Sequence, residues 1–132
     1  MDTHSPGGSR TVILVVEANA IVRTMLRRAL ERRNHRVLLA ADAASALALF
    51  EHSEERVGLV ISEQQLFGMD GTHLADELRR RDPTLPILLV GSGIGDTSGA
   101  FPELEKPFTL AALERRIDEV LDPRLTTPSR RG

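Results

Sequence analysis

Apolar residues run along this chain in two rhythms. TVILVV (11–16) is apolar and rich in β-branched residues, which suits a strand covered on both faces. RVLLA (36–40), GLVIS (58–62) and PILLV (86–90) repeat that character. Between these runs the apolar positions fall at helical spacing. From Ile21 to Arg33 the residues Ile21, Val22, Met25, Leu26, Ala29 and Leu30 share one side and arginines the other. That spacing predicts an amphipathic helix, with Asn34 suited to its C′ position. ASALALFEH (44–52) and THLADELRRR (72–81) read as two further helices, the second stopped by Asp82-Pro83. Strands alternating with helices imply βαβ units and a parallel sheet with helices on both faces.

The regularity fails after the fourth strand. GSGIGDTSG (91–99) holds four glycines and one large apolar residue. Each glycine costs a helix about 1 kcal/mol relative to alanine, so a loop or at most a single turn is expected there. AFPELEKPF (100–108) offers a short, poor strand, and Pro102, Glu103 and Glu105 discourage pairing along its edge. TLAALERRIDEVL (109–121) is amphipathic at helical spacing, with Thr109 placed as N-cap. Residues 1–10 read as a flexible tail and 122–132 as a polar tail or linker, leaving 11–121 as one domain without internal repeats.

Composition narrows the functions. A chain of 132 residues suits a single core. A net charge of −2 gives no electrostatic reason to expect nucleic acid or a membrane surface as partner. The absence of cysteine removes disulfides, thiolate metal sites and cysteine nucleophiles. Without tryptophan or tyrosine there is no stacking platform for bases. The run VILVV is too short to cross a bilayer and no signal-peptide pattern precedes it, so a cytoplasmic address is expected. His4, His35, His52 and His73 lie on separate elements without metal-ligand spacing and are expected at the surface.

In parallel sheets the functional groups gather at the carboxyl ends of the strands. That rule selects Glu17-Ala18-Asn19, Ser62-Glu63, Gly91-Ser92 and Glu105-Lys106. Solvated loop charges are the bland reading of such residues. Against it, these bring carboxylates and an ammonium to one edge.

The same residues resemble the receiver domain of bacterial two-component response regulators, from about Thr11 to Leu121. VILVVEAN stands where that family has an apolar strand ending in two acids. Arg23, Leu26, Leu30 and Val37 keep its spacing, and Ala40, Asp42, Ala46 and Leu47 match the stretch A-x-D-G-x-x-A-L, with Ala43 for glycine. LVISEQQLFGMDG matches the strand and loop of the phosphoacceptor aspartate, and KPF the family's lysine and cis-proline. The resemblance implies a flavodoxin-like (CheY-like), doubly wound, five-stranded parallel sheet with helices on both faces. The connection after Gly91 is shorter than the family's by about two helical turns, so the fourth helix is expected to be shortened or missing.

Carried over residue by residue, the resemblance implies an altered site. Family members hold Mg²⁺ with an acidic pair, the phosphoacceptor and a backbone carbonyl two residues beyond it. Here Glu17 fills the first acidic position, Ala18 the second, and the Gln65 carbonyl remains. Glu63 stands at the phosphoacceptor position, Gly91 at the hydroxyl position with Ser92 beside it, and Glu103 at the aromatic switch position. Lys106 alone is unchanged. A misplacement of about 1 Å costs phosphoryl transfer on the order of a hundredfold. The longer Glu63 side chain and the loss of an acid at Ala18 both act on that step. Mg²⁺ binding is therefore expected to be weak or absent, with no other metal or cofactor.

Glu63 is expected to reach Lys106, either as a built-in mimic of the activated state or, by preference, as a structural ion pair. Asp70 belongs to the GMDG turn for backbone reasons and is not a substitute acceptor. Arg27, Arg28, Arg32 and Arg33 form a basic face open to an acidic partner, while Phe50 and Phe108 are expected in the core. The function expected is a binding module rather than an enzyme: an atypical receiver contacting a histidine kinase, a phosphotransfer protein or another signalling protein. The alternative is a receiver still phosphorylated on Glu63 by a histidine kinase. A flavin carrier of the same fold is set aside, because EANAIVR has no glycine to bind phosphate. With little of the usual dimer surface left, a monomer is expected.

Overall fold

The computed structural model describes residues 11–92, 100–122 and 124. The described residues form five strands and four helices, alternating as far as β4: β1 (Val12–Val16), α1 (Ala20–Arg32), β2 (Arg36–Ala40), α2 (Ala43–His52), β3 (Leu59–Glu63), α3 (Gly71–Arg81), β4 (Ile87–Gly91), β5 (Glu103–Glu105) and α4 (Leu110–Leu121). The sheet is wholly parallel in the order β2-β1-β3-β4-β5. That order is flavodoxin-like, with its switch point between β1 and β3.

Successive strand residues face opposite sides of the sheet, so an unbroken apolar strand feeds two cores. Leu14, Val60 and Leu89 pack with Ala46 of α2 and with Leu74 and Leu78 of α3. Ile13, Val15, Leu59, Ile61 and Leu88 pack on the other side with Leu26 and Leu30 of α1 and Leu113 and Ile117 of α4. Each fully buried leucine or isoleucine contributes about 1.5–3 kcal/mol. The twelve largest buried side chains are all of these two types, which makes the sheet a stiff platform.

Every helix start is capped by a side chain. Asn19 Oδ1 accepts from the N–H groups of Ile21 and Val22, Asp42 Oδ1 from Ser45, Asp70 Oδ1 from His73 and Thr109 Oγ1 from Ala112. Asp70 thus has the backbone role its turn implies. Asn34 follows α1 with φ of 70°, the left-handed geometry of a C′ residue.

Two expectations need correction. Ile21 and Met25 do not join the core; they are 72% and 59% exposed. The packed stripe of α1 runs through Val22, Leu26 and Leu30, and a residue one position earlier is turned about 100° away from it. His35 is half-buried rather than at the surface, with its Nδ1 shielded and without a hydrogen bond. Phe50 and Phe108 pack at the margins of the two cores, and the buried phenylalanine is Phe101, beneath the Arg79 guanidinium. The expected tail over 1–10 with His4, the expected loop over 93–99, and most of the expected 122–132 tail lie outside the described residues. Among the described residues no helix stands between β4 and β5.

Candidate functional site

The carboxyl ends of β1, β3 and β5 bring three of the selected residues together. Glu17 follows β1 directly and is 4% exposed. Its N–H donates to Ala40 O at 3.0 Å, and its Oε2 accepts from Asn19 N at 2.9 Å. Arg23 of α1 ties down the same turn, its guanidinium donating to Glu17 O at 2.8 Å and Ala18 O at 3.2 Å. Glu63 closes β3. Lys106 follows β5, its N–H donating to Gly91 O at 3.0 Å and its bond to Pro107 cis. Lys106 Nζ donates to Glu63 Oε2 at 2.6 Å and stands 3.7 Å from Glu17 Oε1. Two carboxylates therefore share one ammonium.

Burial pushes the Glu17 carboxyl above the usual carboxylate range, and the neighbouring Glu63 charge pushes the same way. The Asn19 N–H and Lys106 pull it down without cancelling the rise. Burial disfavours the Lys106 ammonium, but its hydrogen bond to Glu63 and the Glu17 charge leave its pKa raised. The cation is held firmly in its charged form.

The other selected residues stand apart from this group. Ala18 and Ser92 are exposed, and Gly91 contributes its carbonyl to Lys106. Glu103 begins β5, opposite Leu89. Its Oε2 is buried and accepts no hydrogen bond, while its main-chain O accepts from Arg116 Nε at 3.1 Å. The cavity lined by Glu17, Glu63, Lys106 and Phe108 measures about 10 Å³, no more than one water would fill. A larger cavity, about 670 Å³, is an open groove by Leu38, Leu49 and His52, away from these carboxylates.

An apolar rim escaped the sequence reading. The exposed large apolar side chains among the described residues are Ile21, Met25, Phe67 and Leu110, and Phe67 is 94% exposed. All four stand on the first two turns of α1, the first turn of α4 or the β3–α3 loop, segments that leave the carboxyl edge of the sheet. Phe67 stands in a turn before Gly68, whose φ is 83°, and points outward while Leu66 and Met69 of the same loop pack on the core.

A family model for the response regulator receiver domain matches residues 13–118. The chain is 35% identical over 123 residues to the sensor kinase CckA of Brucella abortus (strain 2308), covering 87% of this chain and 13% of that protein. It is 34% identical over 116 residues to the transcriptional regulatory protein AfsQ1 of Streptomyces coelicolor, covering 83% of this chain and 50% of that one. It thus spans half or less of these relatives' own length. The crystal structure of the receiver domain from the hybrid histidine kinase CckA superposes with a TM-score of 0.73 at 32% identity, covering 84% of this chain and 99% of that one.

Proposed function

Starting from a chain that belongs to the response regulator receiver family, and so to two-component signalling, we propose that it is an atypical receiver acting by protein–protein contact without a phosphorylation cycle. The observation that carries this reading is the 2.6 Å bond between Lys106 Nζ and Glu63 Oε2. A carboxylate at the phosphoacceptor position that is already engaged by the site's ammonium is a poor nucleophile. The residues also suit Mg²⁺ badly. Ala18 brings no carboxylate, its carbonyl is taken by the Arg23 guanidinium, and Glu63 shares its charge with Lys106. Magnesium asks for near-octahedral oxygen ligation, which two carboxylates already sharing the Lys106 ammonium do not supply.

Glu63 and Lys106 act here as a structural ion pair. A carboxylate lacks the charge and oxygens of a phosphoryl group, and neither Gly91 nor Glu103 can report on one. The partner contact falls on α1, where exposed Ile21 and Met25 adjoin exposed Arg28 and Arg32. Arg33 is withdrawn from that basic face, since it bridges Glu114 and Asp118 of α4. An apolar stripe ending in arginines fits an acidic-faced protein, such as a histidine kinase, a phosphotransfer protein or another signalling protein. The domain is monomeric, or self-associates through α1, and works in the cytoplasm.

Intact-mass measurement after incubation with acetyl phosphate and Mg²⁺ tests the reading. No added phosphoryl group is expected, and its appearance on Glu63 would establish the alternative, a receiver phosphorylated there.

A further inference from the structure

Gly71 opens α3, and it lies closer to the strand before it than a side chain permits. A Cβ built on Gly71 falls 2.5 Å from Glu63 O and 2.9 Å from Gln64 Cα, where real Cβ contacts are essentially never under 3.0 Å. Both obstacles are main chain, so no rotamer change relieves them. The contact is also bonded. Gly71 N donates to Gln64 O at 2.6 Å, Gln64 N donates to Val90 O at 2.8 Å, and Gln64 Nε2 donates to Thr72 Oγ1 at 3.0 Å. The end of β3 is therefore gripped between β4 and the first turn of α3.

Glu63 sits at the gripped point. Its pairing is one-sided: the ladder to β1 ends at Ser62, while Glu63 pairs only with Val90 of β4. The helix on the other side of the contact is far better anchored, with Leu74, Ala75 and Leu78 at most 1% exposed. A side chain at position 71 would thus move the looser partner, the Glu63 main chain. We infer that Gly71 is a positioning residue for Glu63: the missing Cβ lets α3 hold the end of β3 where the Glu63 carboxylate meets Lys106. This deepens the proposed function and takes from it only the ion pair. A Cβ at 71 needs at least about 0.5 Å of displacement to clear 3.0 Å from its present 2.5 Å, and a 2.6 Å charged bond does not survive that unchanged.

The test is a double-mutant cycle of Glu63→Gln and Lys106→Ala, run in the full chain and repeated with Gly71→Ala. The expected coupling is about fivefold in the folding equilibrium constant in the first background and under about 1.5-fold in the second. The carboxyl ¹³C signal of Glu63 adds a readout that general loss of packing does not move. It should shift on Lys106→Ala in the wild type and stay still in Gly71→Ala. Equal coupling in both backgrounds would reduce Gly71 to a packing residue of α3 and overturn the inference, as would no coupling in either. Should Gly71→Ala fail to fold, reciprocity decides. Breaking the pair with Glu63→Gln or Lys106→Ala must then shift the Gly71 and Thr72 amide resonances, and unmoved amides overturn the inference. Phosphorylation of Glu63 by acetyl phosphate would sink the proposed function while leaving this result standing.

Discussion

Glu63 and Glu103 stand one residue apart in the register of one sheet but on opposite faces, and the protein treats them differently. Glu63, last in β3, has a side chain 20% exposed and a cation at 2.6 Å. Glu103, first in β5, buries one carboxylate oxygen that nothing hydrogen-bonds. The difference lies in the face of the sheet each side chain takes: Glu63 is in register with Val90 of one core and Glu103 with Leu89 of the other. The loops that follow the strands converge at the carboxyl edge, so Lys106 after β5 and Glu17 after β1 reach the end of β3. Glu103, level with Leu89, faces the opposite core and so turns away from that group. An unpaired buried polar atom costs about 1–3 kcal/mol, whereas a satisfied ionic bond contributes modestly. Position in the sheet, more than residue type, sets the energetic sign of a glutamate here.

Removing the cation should abolish the contrast. Lys106→Ala leaves Glu63 and Glu17 close together without a counter-charge, and a loss of about 1–3 kcal/mol is expected in chemical denaturation. A loss well under 1 kcal/mol would mean that water already satisfies the pair. Glu103→Leu approaches the comparison from the other side. It removes the orphan oxygen from a position opposite Leu89 and should stabilise by about 1 kcal/mol, read as a higher denaturation midpoint with an unchanged slope. Destabilisation would show that Glu103 is satisfied in solution.

His35 supplies a smaller, titratable version of the orphan group. Burial, helped by the Arg33 charge, holds its pKa below the ordinary 6.5. The unfolded chain then takes up the proton first as pH falls. Stability from this group is present above about pH 6.5 and is lost as pH drops through that value toward the depressed folded pKa. Melts between pH 8 and 5 should show a decline that His35→Gln flattens, and parallel profiles for the two proteins would refute the assignment. Lys106 behaves oppositely: with its folded pKa raised above 10.5, its contribution holds below that value and fades as pH climbs through the folded pKa. The smallest effect is expected from Mg²⁺. In an NMR titration, residues 17–19 and 63–65 should show no saturable shift at sub-millimolar Mg²⁺, since the Lys106 ammonium already engages both carboxylates. Saturation there would mean that Lys106 gives them up on binding.

The elements were legible in the sequence because they are local. An apolar run rich in β-branched residues, as in β1, carries its own conformational preference and is long enough to be covered on both faces. Thr109 could be read as an N-cap because a cap needs only the helix that follows it. The pairing of Glu63 with Lys106 came through the resemblance and the polarity rule, two inputs that already contain topology. Ile21 and Met25 were misread because periodicity identifies a helix but not the width of its buried stripe. Phe67 was overlooked because an apolar residue in a turn gives no sign of whether the loop folds in or out.

By itself, then, the sequence determined the order of strands and helices, their approximate ends, the caps at Thr109 and Asn34, and which charged residues stand at or just past a strand end. Those properties depend on neighbours a few positions away and survive in any register. Only the tertiary structure decided that Glu17, at 4% exposure, would share the Lys106 ammonium with Glu63 while a Glu103 oxygen goes without a partner. It also decided that the main chain of Gly71 would press against that of Glu63. Lys106 and Glu63 are separated by 43 positions, so the bond between them needs the strand order and crossovers that bring β1, β3 and β5 to one edge. Burial and close approach belong to the packed sheet, where chain distance no longer predicts spatial distance and desolvation gives each charge its cost.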